Sequence, residues 1–328
     1  MGMERRTVLK LAFGTALSAG AGLAPMRSVM AASKDIVYLT PALDLPFWRA
    51  VSKGVESAAK DKGYTFQTLD SRNNAQTQLQ NAQDSIARGV AGIVISPTDS
   101  STAPSVLTIA KRANIPVVIA DIGTNSGDYV SYIASNNYEG AHGVGLGLAA
   151  ALKKKGWQGG TVGIVSISQA RKNGQARTKG FLDGMKEGGF TGKVAELMQM
   201  QSYTTDETYK FTQDLLTANP DMRGLFIQTD QPTLGALRAI KAARRTGDVL
   251  VAAFDGIPEF VDLLKSGQLV VSGMQQPFLM GATSGDALIG AIGGATPNKE
   301  IVVPILAVTS ETIDAQLPTV KKTVFGDI

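Results

Sequence analysis

Gly92-Ile93-Val94-Ile95 runs through Ser96-Pro97-Thr98 to Asp99; after a helix-length segment, Ile115 to Ala120 runs to Asp121 and Gly123. Much further along, Gly224-Leu225-Phe226-Ile227 runs through Gln228-Thr229 to Asp230, and Val249 to Phe254 then leads to Asp255 and Gly256. In each half an acid follows an almost continuously apolar strand. Runs of that kind fit a parallel sheet covered on both faces. Open α/β sheets bind ligands beyond the carboxyl ends of their strands. Two similar halves with facing strand ends would therefore make one cleft, with an acid from each side.

The same rhythm extends outward. Ile36-Val37-Tyr38-Leu39 reads as the first strand, and Pro46 suits the first turn of a helix to about Lys62, with Asp44 near its cap. Trp48, Val51, Val55 and Ala58 recur at helical spacing. Thr65 to Leu69 is the next strand, and a helix carrying Ala75, Leu79, Ala82 and Ile86 stops at Gly89. Val162 to Val165, Leu225 to Ile227 and Val249 to Val251 are strands of the second half, between helical segments 171–187, 205–218, 232–245 and 258–266. Strand and helix alternate throughout, so the fold class is α/β, with two similar doubly wound parallel-sheet domains. A length of 328 residues suits two domains.

Cysteine is absent and His142 is the one histidine. That composition excludes disulfide scaffolds, thiol catalysis and His/Cys metal centres, and no cofactor or metal is expected. Residues 1–31 carry three of the four net positive charges through Arg5, Arg6, Lys10 and Arg27 against Glu4. The near-neutral remainder offers no electrostatic attraction for nucleic acid. Arg5-Arg6, an apolar run from Leu11 to Ala24 and the small residues ending at Ala31 read as an export signal peptide of twin-arginine type, with ordinary secretion as the alternative. The apolar run is shorter than the roughly 20 residues a span needs. No cysteine follows to carry a lipid, so a soluble periplasmic product is expected.

Asp121 and Asp255 fit three roles: acceptors for ligand hydroxyls, caps of the following helices, or a general acid/base pair. Phe47 and Trp48 open a helix next to the strand ends, where an aromatic face packs on the C–H face of a sugar ring. The helical stripe assigns Trp48 to the core and leaves Phe47 facing the cleft. Gly143, Gly145 and Gly147 fall inside a helical stretch, where close helix packing outweighs a phosphate loop, and His142 reads as an exposed bystander.

Leu45-Pro46-Phe47-Trp48, Asp70-Ser71-Arg72-Asn73-Asn74, Ser96-Pro97-Thr98-Asp99-Ser100, Ile133-Ala134-Ser135-Asn136-Asn137 and Phe254-Asp255-Gly256 resemble the periplasmic sugar-binding proteins of ABC importers, of the ribose-binding type. The likeness runs from about Lys34 to about Thr309. It implies the type I periplasmic binding protein fold, two domains joined by a hinge of three crossings, near Ser135, Gln275 and Leu306. The domains would comprise 34–135 with 276–306, and 136–275 with 307–328. Asp121, Asn137, Arg177, Asp255 and Gln275 match family positions that hydrogen-bond a sugar, and Phe47, Trp48 and Phe254 match aromatic walls. Ser96, Ser135, Tyr203 and Thr229 complete the implied site. Ile122 stands where the pattern has an arginine; Leu45, Ser96 and Thr229 stand where it has asparagines. Fewer donors open the ligand range beyond ribose to a polyol, a deoxy sugar or another pentose. The implied function is a non-catalytic, monomeric receptor that delivers a small carbohydrate or polyol to a membrane ABC permease. A periplasmic sensor of the same fold and a carbohydrate-active enzyme using Asp121 and Asp255 are the alternatives.

Overall fold

The apolar runs become strands because each is buried on both faces, and the amphipathic segments between them become the covering helices. The computed structural model describes residues 33–327. The export-signal reading of residues 1–31 therefore lies outside the described residues. Chain order begins with β1 (Asp35–Thr40), α1 (Pro46–Asp61), β2 (Thr65–Asp70), α2 (Ala75–Ala87), β3 (Gly92–Ile95), α3 (Ala103–Arg112), β4 (Val117–Ala120) and β5 (Tyr132–Ser135). It continues with α4 (Asn137–Lys154), β6 (Thr161–Ser166), α5 (Lys172–Glu187), β7 (Met198–Gln199), α6 (Thr205–Ala218), β8 (Met222–Ile227), α7 (Thr233–Ala242), β9 (Leu250–Phe254), α8 (Glu259–Lys265) and β10 (Val271–Met274). The last elements are α9 (Pro277–Ile292), β11 (Glu300–Val303), β12 (Leu306–Thr309) and α10 (Ile313–Thr323).

The strands form two six-stranded sheets, ordered β11-β5-β4-β3-β1-β2 and β12-β10-β9-β8-β6-β7. Removing β11 and β12 leaves the same doubly wound order in each, with a switch point at β1/β3 and at β6/β8. β3, β4 and β9 are buried at every residue, whereas the edge strand β2 is half-exposed. Helix pairs cover each sheet at very close range: Gly54 of α1 sits against the Phe278 carbonyl of α9, and Gly145 of α4 against the Phe181 carbonyl of α5.

The chain passes between the sheets three times: after β5, after β10 and between β11 and β12. All pairings are parallel except β10 with β12. That antiparallel edge departs from the all-parallel expectation, and its cause is the third crossing. β11 leaves the first sheet at its carboxyl end and, two residues later, enters the second sheet at the facing carboxyl end. It must then run against its new neighbours. The helix-start expectation also needs correction. Leu45, with extended backbone and no side-chain cap, precedes α1, and Asp44 contributes only its carbonyl, which accepts from Arg49 Nη1 at 2.7 Å.

Candidate functional site

Segments leaving the carboxyl ends of the strands converge between the two sheets. Leu45, Phe47 and Trp48 follow β1, and Asp121 follows β4; Arg171, Asn173 and Arg177 follow β6, Tyr203 follows β7, Thr229 follows β8, Asp255 follows β9 and Gln275 follows β10. These residues, with Ile167, line a small cavity of about 20 Å³. A space of that size takes one or two waters, so the facing strand ends are drawn tightly together.

Asp121 and Asp255 occupy equivalent corners. Both have left-handed backbone, φ 61° and 63°, which Asp tolerates better than most residues. Neither carboxylate caps a helix: α8 is preceded by Pro258, and after Asp121 the chain runs in a loop to β5. Asp99 Oδ1 instead accepts from the Ser101 and Thr102 amides at 2.7 and 3.1 Å, closing the turn that leads into α3.

Arg177 organises the second side. Its Nε donates to Asn137 Oδ1 at 2.8 Å, and its Nη1 donates to the Gln228 carbonyl at 2.7 Å and to Asp255 Oδ2 at 3.2 Å. The guanidinium stacks over Phe254, 4.1 Å from the ring centroid. Gln275 Nε2 donates to Asp255 Oδ1 at 2.9 Å. Across the cleft, Asn173 Nδ2 donates to Asp121 Oδ2 at 2.8 Å. Among the side chains that line the cavity, two buried acceptors have no donor, Asp121 Oδ1 and Gln275 Oε1, one from each side.

Burial pushes the Asp121 carboxyl up to about 6, against the pull of Arg177. Burial also raises Asp255, and Arg177 again opposes the shift. Asp230, fully buried behind Thr229, is pushed up to about 6 by burial and by Asp255.

Eight of the twelve residues expected at the site line this cavity: Phe47, Trp48, Asp121, Arg177, Tyr203, Thr229, Asp255 and Gln275. Trp48 belongs with them as well as with the core, a correction to the stripe-based reading; its ring meets Phe47 edge-on at 4.8 Å. Ser96, Ser135, Asn137 and Phe254 stand behind. Ser96 Oγ pairs with the Tyr38 hydroxyl at 2.9 Å, Asn137 Nδ2 donates to the Ser135 carbonyl, and Asn137 and Phe254 hold Arg177. Ile122 is fully buried in the apolar core and lines no part of the cavity, so its exchange for arginine alters the core side of the loop. His142 is half-buried, with Nε2 3.0 Å from Glu187 Oε2, and lies outside the cavity. Among the α4 glycines, Gly140, Gly145 and Gly147 make close contacts and Gly143 makes none.

Four lining residues lay outside the expected set, the apolar Leu45 and Ile167 and the polar Arg171 and Asn173, and the polar pair matters more for chemistry. The available signal was position: both lie where a helix begins just past a buried strand, and Asn173 falls four residues before Arg177, on the same helix face. Arg171 spans the cleft, with Nε donating to the Thr98 carbonyl at 2.9 Å, Nη2 to Asn73 Oδ1 at 3.0 Å, and the guanidinium over the Tyr203 ring.

Residues 36–296 match the model of the periplasmic binding protein domain. The chain belongs to the periplasmic binding protein family. Among curated relatives of this periplasmic binding protein, the ribose import binding protein of Salmonella typhimurium is 35% identical over 260 residues, covering 78% of this chain and 84% of its own. The D-apiose import binding protein of Paraburkholderia graminis is 32% identical, covering 77% and 78%. A carbohydrate transporter solute-binding protein from Agrobacterium radiobacter, solved in complex with D-arabinose, shares the fold with a TM-score of 0.82 at 24% identity, over 90% of this chain and 99% of its own. The type I fold expected of this periplasmic binding protein is thus the fold observed.

Proposed function

We propose that this chain is a carbohydrate receptor of an ABC importer, whose two sheets move apart from their tight approach to hold a sugar ring or polyol between them and present it to a membrane permease. The observation that carries the reading is the pair of buried acceptors without donors, Asp121 Oδ1 and Gln275 Oε1. A buried acceptor left unpaired costs roughly 1–3 kcal/mol, and ligand hydroxyls remove that cost from both sides at once. Two carboxylates, Asp121 and Asp255, face two guanidiniums, Arg171 and Arg177, so the lining is balanced for an uncharged ligand. Phe47, Trp48 and Tyr203 supply faces for its C–H surface.

In this reading Asp121, Arg177, Asp255 and Gln275 contact the hydroxyls, Asn137 and Phe254 hold Arg177 with Ser135 behind Asn137, and Ser96 pairs with Tyr38 further back. The lobes, 34–135 with 276–306 and 136–275 with 307–328, open and close about the three crossings. The names of the relatives, import binding proteins for ribose and apiose, support a pentose-sized ring. The export signal would place the receptor in a periplasm; among the described residues no helix is long and apolar enough to cross a membrane. The receptor performs no catalysis and acts as a monomer.

A thermal-shift screen of pentoses, hexoses, deoxy sugars and polyols should give a few clear stabilisers. Binding at one hundred times Kd adds about 2.7 kcal/mol. Gln275→Ala should remove most of the shift. A screen with no stabiliser, or glycoside hydrolysis by pure protein that is lost in Asp121→Asn, would overturn the reading.

A further inference from the structure

A second cavity, of about 440 Å³, lies beside the first. Leu45, Trp48, Arg171 and Tyr203 line both, so a single layer of side chains separates them. The outer lining comes from both lobes: Asp44, Asp70, Arg72 and Asn73 from the first, Gln201 and Ser202 from the second. Asn73 Nδ2 donates to the Gln201 carbonyl at 3.3 Å and Asn73 Oδ1 accepts from Arg171, so the two lobes meet at this cavity.

Three observations mark it as a built recess. Its volume falls in the roughly 300–1,000 Å³ range of small-molecule sites, which the inner cavity does not reach. Arg72, Asn73 and Tyr203 all have left-handed backbone there, at φ 49°, 53° and 56°; strained residues of this kind cluster at ligand clamps. The lining combines two acids, two arginines, amides, a hydroxyl and the rings of Trp48 and Tyr203, which is electrically balanced and suits a polyhydroxylated, uncharged group.

We propose that this cavity is a second subsite, which takes the sugar or polyol arm of an O-glycoside whose first ring sits against Asp121, Arg177 and Asp255. The preferred ligand is then an uncharged glycoside larger than a monosaccharide, such as a pentobiose or a glycosylglycerol. The inference rests on the carbohydrate reading of the inner site. For the arm to pass, the Arg171 side chain swings off the Tyr203 ring, and contacts of the arm to both lobes then take over from the Arg171 bonds in favouring the closed state.

Calorimetric titration of the purified protein tests this with D-ribose, D-arabinose, D-allose and D-apiose, and with methyl pentosides, xylobiose, arabinobiose and galactosylglycerol. At least one extended probe should bind tenfold or more tightly than every free monosaccharide. Ser202→Trp, at an exposed position of the outer lining, should abolish that advantage and leave monosaccharide affinity unchanged. Gln201→Trp, also exposed, should do the same and guards against a single misfolded variant. Monosaccharide binding that every extension weakens, or an advantage that survives both tryptophans, overturns the second subsite and leaves the receptor reading standing. Binding of neither class overturns both.

Discussion

Arg177 and Asp255 form an ion pair whose side chains are 3% and 6% exposed. Removing one partner of such a pair leaves an uncompensated buried charge and costs about 3–5 kcal/mol. Arg177→Met should therefore lower Tm sharply, and Asp255→Asn in the same chain should recover part of the loss. Asparagine is the right second change because it tolerates the left-handed backbone at that corner. A double variant no more stable than Arg177→Met would argue against the pairing. Asp230 presents the reverse case: it is fully buried, Oδ2 has no donor, and its carboxyl titrates near 6 against an ordinary value of 3.8. Between those values the folded chain holds a proton that the unfolded chain has released, so stability falls as pH rises through the window and stays at the lower level above it. Asp230→Asn should accordingly raise Tm most at neutral pH and have little effect below about pH 4. Melting curves across that range check it, and equal Tm values at neutral pH would refute the buried-charge argument.

At the scale of elements, the glycines separate into those that let helices touch and those that do not. A Cβ at Gly54 would meet the Phe278 carbonyl and the Ala282 amide of α9, whereas Gly143 in α4 has nothing within 4 Å. Gly54→Ala should destabilise by about 1–3 kcal/mol through overpacking. Gly143→Ala should stabilise by about 0.5–1 kcal/mol, since alanine loses less backbone freedom in a helix interior. Urea midpoints of the two variants should move in opposite directions. A rise in both midpoints would show that helix propensity alone governs these positions.

At the scale of the whole molecule, closure is held by bonds that bridge the lobes: Arg171 to Thr98 and Asn73, Asn173 to Asp121, and the Lys172 amide to Ser100 Oγ at 3.2 Å. On the receptor reading proposed above, a ligand between the lobes enters an open form and the three crossings absorb the motion. Arg171→Ala should shift the unliganded protein toward the open form and enlarge its radius of gyration in solution scattering. Saturating sugar should then contract it. Superimposable curves with and without ligand, in wild type and variant alike, would argue against hinge closure.

The sequence by itself determined the alternation of strand and helix, because strands covered on both faces must be apolar at nearly every position. It also marked Asp121 and Asp255 as acids at strand ends, and the local motifs identified the family. Short edge strands such as β7 and β12 carried too few residues to show a period. What only the tertiary structure decided is which strand-end side chains share a space. Asn173 reaches Asp121 across 52 residues and Arg177 reaches Asp255 across 78. Such meetings depend on how two sheets face each other through three crossings, which no local pattern encodes. Asp121 and Asp255 turn the chain with left-handed backbone just past β4 and β9. Asp121 thus faces the cavity while Ile122 enters the core, and Asp255 lines the cavity while Phe254 supports Arg177 from behind.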